Sequence, residues 1–358
     1  MADEPKVSTP LNDEVNGEIG SFAKLSIFKR ALRTKAFSLF VLLAILVVLF
    51  SILAPSRNYG FQAFFRMNTF WRILQDLAVP GFLTLGVGLL VVSGNIDLSA
   101  AAAGSMTGII VSVSISWYDM NWILAILLAI AAAAAVGFLN AVLVNELKQA
   151  PFIATMAMAT ILTAVSQIIT TNPLGTVVGQ IHYFHEILPK IGTYRIFDQI
   201  PAASLVMIIL FIIYGLALSK SKFGRTLYLM GGNRAATYLA GINPRKISYF
   251  LFINCSVLAA FAGIVNVSRV GLGSTMALSL YQFTGISAAI LGGISFGGGS
   301  GGLGGAFLGL MVINTFSMGM TTSGGSPYLS AVMPGTLLLI ALTVDYFNVR
   351  AQNKRVGA

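Results

Sequence analysis

The sequence predicts an all-α membrane protein of about ten transmembrane helices. Three observations carry that expectation. The 358 residues are 56% hydrophobic and only 9% charged, against about 25% charged in an ordinary soluble domain. The apolar residues gather into runs of the length, roughly 20 residues, that crosses the hydrocarbon core of a bilayer. The basic residues, which set a net charge of +10, flank these runs. They therefore point to orientation in a membrane and not to nucleic acid as a partner.

The elements follow in chain order. Residues 1–35 are hydrophilic, acidic at first (Asp3, Glu4, Asp13, Glu14, Glu18) and basic at the end (Lys24, Lys29, Arg30, Arg33, Lys35). This cytoplasmic segment is too long and polar to open a cleaved leader, so the first apolar run reads as a span. The membrane domain covers 36–347, with expected spans at 36–54, 73–93, 98–115, 122–144, 151–170, 202–219, 247–267, 276–296, 302–321 and 328–347. Between the second and third lies SGNIDLS (93–99), short enough to be a bend inside the membrane. Two connections are long: 171–201, with Pro173, Pro189 and Pro201, and 220–246, with Lys220, Lys222, Arg225, Arg234, Arg245 and Lys246. A tail, 348–358, closes the chain. With the N-terminus inside, sixteen of the 22 Lys and Arg residues fall on the inner side. That bias supports ten spans with both termini in the cytoplasm.

Several chemistries are excluded. The single cysteine, Cys255, sits in an apolar run. It permits no intrachain disulfide and reads as a small buried apolar residue. No G-x-x-x-x-G-K-[ST] occurs, so the chain lacks a phosphate loop for ATP, and no H-E-x-x-H occurs. His182 and His185, beside Glu186, could hold a metal on a helix, but without further placed ligands they read as solvated loop residues. No metal site and no catalytic residue is expected. Asp97 and Glu146 fall in inner turns, Asp119 and Asp345 at span ends, and Asp76 four residues after Arg72, where the two could pair. The centres of the spans carry no ionisable group, which argues against a proton relay. Sodium coupling through backbone carbonyls remains open, and with it an ion-coupled secondary carrier as the alternative reading.

Polar residues do occur at depth: Asn140, Ser166, Gln167, Asn254, Asn266, Gln282, Thr284, Ser287, Asn314 and Ser317. They serve either as interhelical hydrogen bonds or as a path for a neutral hydroxylated solute. Their crowding into the seventh to ninth spans favours a path through Asn254, Asn266, Gln282, Thr284, Asn314 and Ser317. The stretch GGISFGGGSGGLGG (292–305) contains GSGGLG, a match to G-x-G-x-x-G. A dinucleotide site needs a strand before that motif and an acid about 20 residues after it. Here a span precedes it, and no acid stands between Gly305 and Asp345. The glycines read instead as gating and packing residues. Gly292, Gly293, Gly298, Gly299 and Gly301 let the backbone turn, and the pairs Gly301–Gly305 and Gly305–Gly309 let two helices approach closely.

The loop after the sixth span reads SKSKFGRTLYLMGGNRAATYLAGINPRKISYF (219–250). Gly231 and Gly232 end one segment, Asn233 suits a helix N-cap, RAATYLA forms a short helix, and Gly241 with Pro244 stops it. Phe223, Gly224, Arg225, Tyr228, Gly231, Gly232, Asn233, Ala235 or Ala236, Gly241, Ile242 and Asn243 resemble the coupling-loop motif of ABC-importer sugar permeases of the ribose, xylose and galactose group. SGNIDLS is similar to that family's G-G-I-D-L-S. LAAFAGIVNVSRV (258–270) and LGGISFGGGSGGLGGAFLG (291–309) resemble two further family segments in the same order, and the likeness runs from about residue 75 to 347.

The resemblance implies a bacterial inner-membrane protein that works with a second, identical or related, permease subunit. It implies two cytoplasmic ATP-binding-cassette ATPases, which hold ATP and Mg, and an extracytoplasmic solute-binding protein. Gly232, Asn233, Arg234, Ala235, Ala236 and Gly241 would then form the helix that couples to the ATPase. No cofactor is expected on this chain itself, and lipid surrounds it. Gln282 and Thr284 stand where the family commonly has carboxylates, Ser300 where it has a basic residue, and Ser330 where Gln is frequent. Pro334 predicts a kink in the last span.

Overall fold

The computed structural model describes residues 35–53, 64, 66–171, 175–182, 188–326, 328–329, 331–340 and 343. Residues 1–34 of the expected cytoplasmic segment 1–35, His185 with Glu186, Ser330, Asp345 and the tail lie outside them. Thirteen helices are described. The first five are α1 (Lys35–Leu53), α2 (Met67–Val92), α3 (Ala100–Ser116), α4 (Trp122–Asn145) and α5 (Pro151–Ile169). A six-residue α6 (Leu188–Thr193) precedes α7 (Ala202–Lys220), and α8 (Lys222–Gly232) and α9 (Arg234–Leu239) fill the basic loop. Then come α10 (Pro244–Val270), α11 (Tyr281–Leu291), α12 (Leu303–Thr322) and α13 (Ala331–Ile340).

Among the described residues seven helices are long and apolar enough to cross a membrane: α1, α2, α4, α5, α7, α10 and α12. Two of the other three expected spans are shorter among the described residues. At 17 residues α3 reaches only about 25 Å at 1.5 Å per residue. The span expected at 276–296 is an 11-residue helix, α11, preceded by tight turns in which Ala277, Ser279 and Tyr281 donate to carbonyls three residues back. Part of the last expected span, 328–347, lies outside the described residues. The expectation of helices alone also needs amending. A ladder pairs β1 (Gln180–His182) antiparallel with β4 (Leu272–Ser274), with Ile181 opposite Gly273, and a second pairs β2 (Arg195–Ile196) with β3 (Ile200–Pro201). Both ladders close the end of the bundle where α10 finishes.

The core is built around α2 and α10. The α2 helix is buried without interruption from Leu77 to Val92. The α10 helix packs against α2, α3 and α4, and it meets α3 where a Cβ on Gly263 would fall on the Gly104 carbonyl. In contrast, α1, α4, α5 and α7 turn bulky apolar side chains outward, among them Phe40, Leu124, Ile153 and Ile212. Exposed apolar faces of that extent suit lipid or another membrane helix. Cys255 is buried, as expected.

Two ionisable groups sit differently from the sequence reading. Asp76 pairs with Arg269 at the end of α10 (Nη2–Oδ1 2.6 Å) and not with Arg72, so the contact ties two helices together and does not stabilise one turn. Asp97, expected in an inner turn, is fully buried there, as are Ser93, Asn95 and Ser99 of the same segment.

Candidate functional site

Three features meet near one end of the bundle: a short helical knob, a junction of three glycine-rich turns, and the broken segment between α2 and α3.

The knob is α9. The Asn233 side chain accepts from the Ala236 amide (2.9 Å), capping the helix, and the Asn233 carbonyl accepts from the Thr237 hydroxyl (2.8 Å). Gly241, at φ 78°, closes the far end in the left-handed conformation that glycine adopts without strain. Asn243 then caps α10, accepting from Arg245 and Lys246, with Pro244 as its first residue. The knob is therefore fixed at both ends by local side-chain chemistry. Its outer surface carries Tyr238 and Leu239, 69% and 85% exposed. Ala235 and Ala236 lie on the knob and are exposed. Arg234 is exposed as well, and its Nη2 reaches back to donate to the Asn145 Oδ1 at the end of α4 (2.5 Å). Burial, and then the charge of Arg245, lowers its affinity for its proton.

The junction explains the glycines on either side of the knob. Gly231 ends α8 against the chain leaving α2: a Cβ there would fall on the Val92 carbonyl oxygen and the Gly299 nitrogen. The Gly299 amide donates to that same Val92 carbonyl (2.8 Å). A Cβ on Gly298 would meet Gly94 and Gly231, and one on Gly299 would meet Gly232. Gly94, Gly231 and Gly298 thus pack backbone on backbone. The Tyr228 hydroxyl of α8 donates to the Gly301 carbonyl (2.7 Å), fastening the knob's supporting helix to the glycine loop. Beyond the loop, Gly305 and Gly309 of α12 lie against the Gly292 and Ala288 backbone at the end of α11, with Gly293 turning the chain between them.

The broken segment is the third feature. The α2 helix stops at Gly94 (φ 77°), with the Asn95 amide donating back to Leu90. Residues 95–99 then run irregularly inside the protein, where every backbone polar group needs a partner. Those partners come from distant helices. Thr155 of α5 accepts from the Leu98 amide (3.0 Å). Gln282 of α11 accepts from the Ala101 amide (2.9 Å) and donates to the Asp97 carbonyl (3.1 Å). The Asp97 carboxylate accepts from the Ser99 amide (2.7 Å) and hydroxyl (2.6 Å), and Ser99 in turn accepts from Asn140 of α4 (2.7 Å). These contacts hold the start of α3 in place of a preceding helical turn.

The residues expected to form a solute path are placed as follows. Gln282 clamps the broken segment and lines a cavity of about 200 Å³ with Ser105, Thr163, Ser279 and Phe283. Thr284 donates to the Leu280 carbonyl within its own helix. Asn254 accepts from the Tyr214 hydroxyl of α7 (2.5 Å), and Asn314 donates to the Ile73 carbonyl of α2 (2.9 Å). Asn266 and Ser317 are half-buried on α10 and α12. The cavity that Gln282 lines includes none of Asn254, Asn266, Asn314 or Ser317. The sequence reading missed Asn145, Thr155 and Tyr228 as functional contacts. Tyr228 stood in the quoted motif, but the partners of Asn145 and Thr155 lie far along the chain.

A family model described as a branched-chain amino acid transport system permease component matches residues 70–342. The chain belongs to this permease family. The ribose import permease protein of Escherichia coli K12 is 31% identical over 85% of this chain and 92% of its own length. That of Bacillus subtilis 168 is 31% identical over 86% and 91%. The fructose import permease protein of Rhizobium meliloti is 28% identical over 79% of each. This chain is thus a multi-pass inner-membrane permease subunit of an ABC importer. Within the permease the knob, the glycine junction and the broken segment all fall inside the matched region.

Proposed function

We propose that this permease carries a neutral, sugar-like solute across the inner membrane, driven by ATP hydrolysis in a separate ATP-binding-cassette subunit that docks on α9. The carrying observation is the knob: a six-residue helix capped at both ends, its outward side apolar, and its base interlocked with the glycine loop and the end of α2. A rigid element seated in this way moves as a body with whatever it contacts. The names of the ribose and fructose import permeases support a sugar as solute. In this reading ATP and Mg are bound by the partner chain.

The working unit is two permease subunits, identical or related, whose outward apolar faces on α1, α4, α5 and α7 meet lipid or one another. The basic loop holding α8 and α9 faces the cytoplasm with both termini, as the distribution of Lys and Arg supports. Residues 1–35 and 348–358 flank the membrane domain 36–347 on that side. The connection 171–201 and the strand ladders face an extracytoplasmic binding protein that delivers the solute. The permease performs no chemistry on it.

Purification of the tagged chain brings down a stoichiometric ATPase if the docking reading is right. Alanine at each of Asn233, Arg234 and Gly241 together lowers both ATPase retention and ATP-driven uptake of labelled ribose by more than about tenfold. Retention and uptake equal to wild type would contradict the assignment. Mass spectrometry of the ligand held by the associated binding protein names the solute.

A further inference from the structure

Beside the knob lies a cleft of about 960 Å³ that the sequence reading did not anticipate. Its walls are the turn joining α4 to α5 and the start of α10, with α9 as the third side. Asn145, Lys148, Arg234, Tyr238, Asn243 and Arg245 line it. Three of these are cations. The nearest carboxylate, Glu146, is engaged with Arg245 (3.4 Å) and accepts from the Tyr249 hydroxyl. Among the described residues neither Arg234 nor Lys148 has an ion-pair partner. Arg234 is held over the cleft by a neutral amide, Asn145, which is itself fixed by donating to Ser248 (3.0 Å) and to the Ala141 carbonyl. Lys148 sits at φ 52°, a left-handed conformation uncommon for a lysine, in the turn after α4. Arg234 and the exposed Lys148 thus border one cleft, and among the described residues neither is paired with a carboxylate. A cleft of that charge attracts a negative partner.

We propose that this cleft receives a carboxylate side chain of the docked ATPase, so that the α4–α5 turn is a second docking segment alongside α9. The inference rests on the docking reading above and specifies its chemistry. A protein partner is favoured over a lipid headgroup by what surrounds the cleft. Tyr238 and Leu239 project from the same short helix, next to the cations. An aromatic and apolar anchor bordering an arginine is the composition of a protein interface. Arginine also suits a carboxylate geometrically, because its planar fork can make two parallel bonds to it.

The test measures binding of the co-purifying ATPase, separated and added back, to the full-length permease in nanodiscs of neutral phosphatidylcholine. The double variant Lys148→Gln, Arg234→Gln is expected to weaken binding about tenfold at 50 mM salt and less than about twofold at 500 mM, since salt screens the charge contribution. Leu239→Ala is expected to weaken it equally at both. Arg245→Gln, whose side chain is 60% exposed, tests the same cleft without disturbing Asn145 and is expected to give a smaller, equally salt-sensitive loss. Unchanged binding in both charge variants would overturn the proposal while leaving the knob as the docking site. A loss seen only in nanodiscs containing phosphatidylglycerol would overturn it in favour of an anionic headgroup. No binding by the wild type at either salt would remove the docking reading itself.

Discussion

Gly231 and Gly232 are neighbours with opposite demands. A Cβ on Gly231 would overlap the Val92 carbonyl and the Gly299 amide, whereas Gly232 has nothing within 4 Å of such an atom. Backbone atoms cannot move aside as a side-chain tip does, so Gly231→Ala separates three turns. We expect about 1–3 kcal/mol of destabilisation, read as a Tm lowered by several degrees and a loss of uptake. Gly232→Ala is expected to keep the Tm within a degree or two. Equal behaviour of the two variants in a thermal-shift and uptake assay would contradict the junction. Asn233→Ala loses the cap and costs about 1 kcal/mol locally; hydrogen exchange of the α9 amides is expected to quicken while that of α10 is unchanged. The capping role of Asn233 and the stop at Gly241 were legible in the sequence because both are chemistry between near neighbours. The clash at Gly231 was not legible, since Val92 and Gly299 approach it only in the fold.

At the scale of elements, the broken segment and α11 depend on each other. Gln282 joins them through an accepted and a donated bond, so Gln282→Leu leaves an amide and a carbonyl without these partners at a part-buried site. That costs about 1–3 kcal/mol per group. Folding and transport are therefore expected to decline together in this variant, whereas a residue that only touched solute would affect uptake alone. A Gln282→Leu protein with wild-type Tm and impaired uptake would restore the solute-path role. The short α11 was not legible because Ser105 of α3 accepts from the Leu278 amide (3.0 Å) and holds the preceding turns. Hydropathy over 276–296 reports only that the stretch is apolar. Likewise the buried position of Asp97 follows from partners such as Thr155 and Gln282, which bond to residues 57 and 185 positions away. The break itself was visible as SGNIDLS, whose glycine and short polar residues interrupt an apolar run.

For the molecule as a whole, the membrane class, the main apolar helices and the basic loop were legible because each is a property of composition over many residues. The assembly of the site was not, because it joins the ends of α2, α4, α8 and α11, which are scattered along the chain. The result is a bundle whose inner helices, α2 and α10, are clasped at one end by a capped knob and a backbone-to-backbone glycine junction. Under the proposed docking, a force on the knob would pass through Gly231 and Tyr228 to the glycine loop and the end of α2. The most direct measurement is uptake of the solute found in the associated binding protein, in labelled form, by proteoliposomes holding the purified permease, with and without its ATPase, ATP and binding protein, and under an imposed sodium or proton gradient. The expected result is accumulation only with the ATPase, the binding protein and ATP present together, abolished by the Asn233, Arg234 and Gly241 alanine variant. Accumulation by the permease alone, driven by an ion gradient, would contradict it.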